Sequence, residues 1–70
     1  MRDYRKHLGR NVNVVDSAGE SFRGLLKDVG RDTITLDVKE HYFDDGEKDS
    51  NTFAGYLMLD RFVIRFVQVL

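Results

Sequence analysis

The sequence contains no cysteine, no tryptophan and no proline. Without cysteine, neither a disulfide nor a thiolate metal site can reinforce the fold. No apolar run approaches the length needed to span a bilayer, and the residues after Met1 are charged rather than arranged as a secretory leader. A cytoplasmic location is therefore expected. No internal repeat, linker or low-complexity segment is visible, so a single domain over residues 1–70 is expected. A strong excess of one charge is also lacking: the net charge is −1, so bulk electrostatics does not announce a nucleic-acid binder.

What is present is a globular composition, 41% hydrophobic and 33% charged, which excludes a disordered chain. A chain of this length buries only about 60% of its extended surface, so its core is marginal alone. With covalent supplements excluded, oligomerisation is the remaining common route to stability. Charge is unevenly distributed. Residues 2–10 carry Arg2, Arg5, Lys6 and Arg10 against Asp3, whereas residues 40–49 carry Glu40, Asp44, Asp45, Glu47 and Asp49 against Lys48.

Residues 11–36 organise the chain as three short strands and two tight turns. Val12 and Val14 alternate with Asn11 and Asn13, the period of a half-buried strand. Residues 17–20 carry turn chemistry, with Gly19 able to supply a positive φ. Phe22, Gly24 and Leu26 share one face of the second strand. A glycine in the middle of that face leaves room for a sharp bend or a close backbone approach. Residues 30–32 turn again, and Ile34, Leu36 and Val38 point one way along a third strand that continues through residue 43.

Ahead of this unit, Asp3 is a plausible N-cap and Gly9 a plausible C′ residue for one or two helical turns over residues 4–8. So short a helix must dock to persist, and Tyr4 with Leu8 would supply the docking side. Residues 44–52 form a polar loop or hairpin tip without the ligand spacing of a calcium loop. Residues 53–59 and 63–70 read as a fourth and a fifth strand around a corner at residues 60–62. Both are apolar on both faces, the pattern of a covered sheet or an interface. Tyr56, Met58, Phe62 and Phe66 could be read as a nucleobase-stacking set, but most of them are expected to pack between copies of the chain, because exposed aromatics in a row favour aggregation.

The run Gly19-x-x-Phe22-x-Gly24-x-Leu26, followed by Val29, Asp32, Ile34 and Leu36, resembles the first Sm motif of the Sm and Sm-like (LSm) proteins. The resemblance extends over nearly the whole chain. It implies an all-β fold: a small, five-stranded, strongly bent Sm-like (SH3-like) barrel with a short N-terminal helix, assembled as a homo-oligomeric ring. It also implies a base slot at the inner rim, built from the turn after the bent strand and from an Arg-Gly step between the last two strands. Here Gly30 stands where aspartate is expected, Asp32 follows two residues later, and Thr33 takes roughly the asparagine position. Arg61 is present at the second step, but Phe62 replaces the glycine. The same framework looks like the Sm-like domain of bacterial ribosome-maturation factors and, more loosely, any SH3-like barrel.

Candidate RNA-binding residues are accordingly Arg31, Asp32, Thr33 and Arg61, with Arg2, Arg5 and Lys6 as a basic patch. An arginine can stack on a base and pair with phosphate. The plainer expectation for Asp60 and Arg61 is that they satisfy each other or the backbone at the corner. His7 and His41 have no recognisable ligand or nucleophile spacing and are expected at the surface or rim. No paired acid and base lies in a cleft, so no catalytic group, metal or cofactor is expected. The leading expectation is a non-catalytic ring binding single-stranded RNA or another polyanion. The alternative is a structural or regulatory scaffold that binds protein partners without RNA, and a third is an SH3-like accessory module in ribosome assembly.

Overall fold

Alternating apolar and polar residues favour extended chain, and here they build five strands: β1 (Asn11–Asp16), β2 (Ser21–Val29), β3 (Thr33–Tyr42), β4 (Tyr56–Asp60) and β5 (Ile64–Val69). The computed structural model describes residues 3–51 and 55–70. Arg2, and residues 53 and 54 of the expected fourth strand, lie outside the described residues. The strands form one antiparallel sheet in the order β4-β3-β2-β1-β5. Local chemistry sets the turns. The Asp16 carboxylate accepts the Ala18 and Glu20 N–H groups at 3.0 and 2.9 Å, and Gly19 supplies the positive φ.

One cluster fills the inner face: Tyr4, Val12, Val14, Phe22, Leu26, Ile34, Leu36, Val38 and Leu59. Val12, Val14, Ile34 and Leu36 are completely buried, although the described residues include no second sheet or long helix to cover them. A single sheet can do this only by curling around its own apolar face. The sheet is nevertheless not closed. Among the described residues, β4 pairs only with β3, and β5 only with β1, so both are edges of the sheet. A three-residue 3₁₀ turn, Arg61–Val63, carries the chain from one edge to the other. It is tied down where Arg61 N–H donates to the Asp32 carbonyl at 2.8 Å and Ser17 N–H donates to the Val63 carbonyl at 2.6 Å.

Irregular register curls the sheet. Arg23 pairs with Glu40 but Gly24 pairs with Val38, leaving Lys39 as an extra residue in β3. A second slip leaves Lys27 extra in β2, and a third, where Val15 pairs with Phe66 and Asp16 with Ile64, leaves Arg65 extra in β5. Each bulge bends its strand and increases twist. At the first, a Cβ on Gly24 would collide with the Asp37 carbonyl oxygen and lie 2.8 Å from its carbon. The close backbone approach anticipated at Gly24 is therefore present.

Two expectations are corrected. The N-terminal helix is only a 3₁₀ turn, Arg5–His7, which docks through Tyr4 and not through Leu8: Tyr4 is 7% exposed and Leu8 44%. With 3.0 residues per turn, positions four apart no longer share a side. Asp3 does serve the turn, its carboxylate accepting the Arg5 N–H at 3.0 Å. His41 is not a surface or rim residue but a buried one. The extra Lys39 shifts the phase of β3, so His41 joins Ile34, Leu36 and Val38 on the inner face. Beyond Tyr42 the chain makes a small hairpin. Phe43 N–H donates to the Glu47 carbonyl at 2.8 Å, and Asp49 N–H returns to the His41 carbonyl at 2.8 Å. Among the described residues no helix is long and apolar enough to cross a membrane.

Candidate nucleic-acid interface

Pairing of Thr33 with Asp60 and Ile34 with Leu59 draws the β2–β3 turn against the end of β4. Arg61, the next residue, fastens the two together. Its guanidinium donates from Nη1 to the Gly30 and Arg31 carbonyls at 3.2 and 3.3 Å, adding to the backbone bond to Asp32. The guanidinium carbon also sits 5.0 Å from the centre of the Tyr4 ring, a cation–π distance. Asp60 accepts the Phe62 N–H at 3.2 Å and so starts the 3₁₀ turn. Asp60 and Arg61 thus both engage the backbone at the corner.

The structure gathers Arg31, Asp32, Thr33 and Arg61 at one corner, and through Tyr4 it brings the turn carrying Arg5 and Lys6 to the same place. Arg31 and Asp32 are exposed, Thr33 and Arg61 half-buried. Arg5 Nε lies 3.9 Å from Asp3, with both side chains largely in water, so that pair is screened and weak. Lys6 is exposed. Phe62, beside Arg61, is 88% exposed. The corner offers exposed cations and an aromatic ring, the group types that phosphates and bases engage.

The acidic hairpin lies elsewhere. It leaves the β2–β3 ladder at the end where Ser21 pairs with Tyr42, whereas the basic corner lies at the end where Val29 pairs with Ile34. Asp44, Asp45 and Glu47 are exposed there. Next to them Glu40 accepts from the Tyr42 hydroxyl at 2.6 Å and pairs with Lys48 at 3.4 Å. The Tyr42 hydrogen bond and then the Lys48 ammonium hold its carboxyl below the usual range, and the same carboxylate pushes the Tyr42 phenol up.

Sequence reasoning did not foresee the contacts of His41. Its Nε2 lies 2.6 Å from Glu20 Oε1 and its Nδ1 3.1 Å from Asp49 Oδ2. The ring stacks on Phe22 at 4.6 Å between centroids and meets the edge of Phe43 at 4.9 Å. Glu20 is twenty-one residues away and Asp49 eight, so no local spacing signals the cluster. Among the described residues no group of three or more histidines and acids is arranged to hold a metal ion. No protein-family model matches the sequence, and no curated protein matches it.

Proposed function

We propose that the chain is an Sm-like barrel protein of the cytoplasm that assembles into a homo-oligomeric ring and binds single-stranded RNA or a similar polyanion without catalysis. The observation that carries this reading is the corner itself. Arg61 joins the β2–β3 turn to the end of β4, so that Arg31, Asp32, Thr33 and Arg61 share one place, with Arg5 and Lys6 attached through Tyr4. These are the two segments from which the Sm-like resemblance would build a base slot. In a ring each copy repeats the corner, and a modest local positive charge becomes a continuous electropositive rim.

Fluorescence anisotropy with short U-rich and A-rich oligonucleotides, at low and moderate salt, tests the reading. Binding that weakens as salt rises is the expected result, because neutralised phosphates release counterions. Absence of affinity at low salt overturns it. The second reading, a scaffold for protein partners, is favoured by one observation. The Arg61 guanidinium is engaged by two carbonyls and a ring, while Phe62 presents a bare aromatic surface. Retained assembly without RNA binding would favour it.

A further inference from the structure

A neutral imidazole carries one N–H, so it can donate to one acceptor only. At His41 both ring nitrogens lie within hydrogen-bond distance of carboxylate oxygens, Nε2 of Glu20 and Nδ1 of Asp49. Two ionised carboxylates cannot both accept from a neutral ring. One nitrogen would turn a lone pair toward an anion. The arrangement is satisfied by the doubly protonated ring, whose short contact to Glu20 has the length of a charge-assisted bond.

The three groups come from different parts of the chain. His41 is in β3 and stacks on Phe22 of the core. Glu20 closes the β1–β2 turn, and Asp49 lies on the returning arm of the hairpin over residues 43–51. We propose that the His41 imidazolium is a pH-operated clamp that fastens the β1–β2 turn and this hairpin to the curled sheet, and that loss of its proton releases them. The hairpin is also joined to β3 by the Asp49 N–H to His41 carbonyl bond, the Tyr42–Lys48 bridge and the exposed Glu40–Lys48 pair. A segment with few buried contacts opens locally at small cost.

Charged groups face the ring from two elements: Glu20 from the β1–β2 turn and Asp49 from the hairpin. β2 contributes uncharged Phe22, and Phe43 closes one edge. Within the turn, Asp16 is engaged by the Ala18 and Glu20 N–H groups. Arg23, Glu40, Tyr42 and Lys48 form a separate network among themselves. Burial alone pushes the imidazole pKa down, but the bonds to Asp49 and Glu20 outweigh it and the net direction is up from 6.5. The Asp49 carboxyl is held low, first by the Asn51 N–H and then by His41. A group whose pKa is raised on folding stabilises fully below its unfolded value and stops doing so as pH rises through the folded value. The clamp is therefore closed in mild acid and opens on the alkaline side of 6.5.

The test is an NMR titration in a His7→Gln background, so that a single imidazole reports, combined with amide hydrogen exchange of the Asp49 and Asn51 N–H groups. The expected result is a His41 midpoint above 6.5, with protection of those amides falling through the same midpoint after correction for intrinsic exchange. The fall should reach about tenfold for each unit by which the midpoint exceeds its unfolded value. Asp49→Asn should move the midpoint down, and His41→Gln should abolish the pH dependence of protection. If His41→Gln does not fold, Asp49→Asn alone decides. A midpoint at or below 6.5, a midpoint unmoved in Asp49→Asn, or protection flat across the His41 midpoint overturns the proposal.

Discussion

Gly24 is held so close to the Asp37 carbonyl that even one carbon is too much. The obstacle is backbone, which cannot rotate aside as a flexible side chain would, so relief requires the β2–β3 ladder to part at its bulge. Gly24→Ala should therefore destabilise by about 2–4 kcal/mol, the scale of overpacking plus backbone strain. Urea denaturation with an unchanged slope and a lowered midpoint is the expected outcome, and an unchanged midpoint would show that the strand can yield. This constraint was legible in the sequence, because a glycine between Phe22 and Leu26 on a core face gives up apolar burial that a larger side chain would gain, unless a neighbouring backbone fills the space. The burial of His41 was not legible. Alternation read straight along β3 assigns positions 34, 36 and 38 inward and 41 outward, and only the extra Lys39 reverses that phase. Bulges are set by pairing with another strand and leave little trace in the strand that carries them.

At the scale of elements, the N-terminal turn shows what a short segment needs. Three residues of 3₁₀ helix have no stability of their own, so its position depends on Tyr4, buried in the core cluster and lying under the Arg61 guanidinium. Tyr4→Ala should cost about 3 kcal/mol, in the range of large aromatic truncations, and detach the turn. Leu8→Ser should change stability by less than about 0.5 kcal/mol, the range of surface substitutions. Thermal unfolding of the pair checks both, and equal losses would contradict the docking described. The sequence assigned docking to both residues, because a spacing of four puts them on one side of an α-helix, and the 3₁₀ turn removes that coincidence. Charge provides a second test at this scale. Arg5→Glu with Lys6→Glu should weaken oligonucleotide binding and flatten its salt dependence, whereas Asp44→Asn with Asp45→Asn should leave affinity equal or slightly higher. The two pairs lie toward opposite ends of the β2–β3 ladder, so the reverse result would assign binding to the acidic end.

For the whole molecule, the open sheet is the governing fact. Among the described residues, β4 and β5 are the two outermost strands of the sheet. They also expose apolar side chains that a lone domain has no reason to keep: Tyr56 and Met58 in β4, each 65% exposed, and Phe66 in β5 with Leu70 just beyond it. The apolar character of these segments was plain in the sequence. Which residues face outward was not, because the bulge at Arg65 sends Ile64, Val67 and Val69 inward and leaves Phe66 outside. Unprotected apolar edges pair indiscriminately unless covered; the sequence has no proline, and among the described residues no further strand lies beyond them. Joining β4 of one copy to β5 of the next would satisfy both edges at once. Such a contact uses two different surfaces, so it closes only if the rotation between copies divides a full turn, which makes a ring the economical outcome. Light scattering at micromolar concentration should therefore give a discrete multiple of 8.1 kDa. Met58→Glu combined with Phe66→Glu should lower that mass without unfolding the chain, since both side chains are exposed in the isolated domain. A wild-type mass of one chain would sink the ring, and with it the symmetry that concentrates Arg5, Lys6 and Arg31 into a surface able to hold a polyanion.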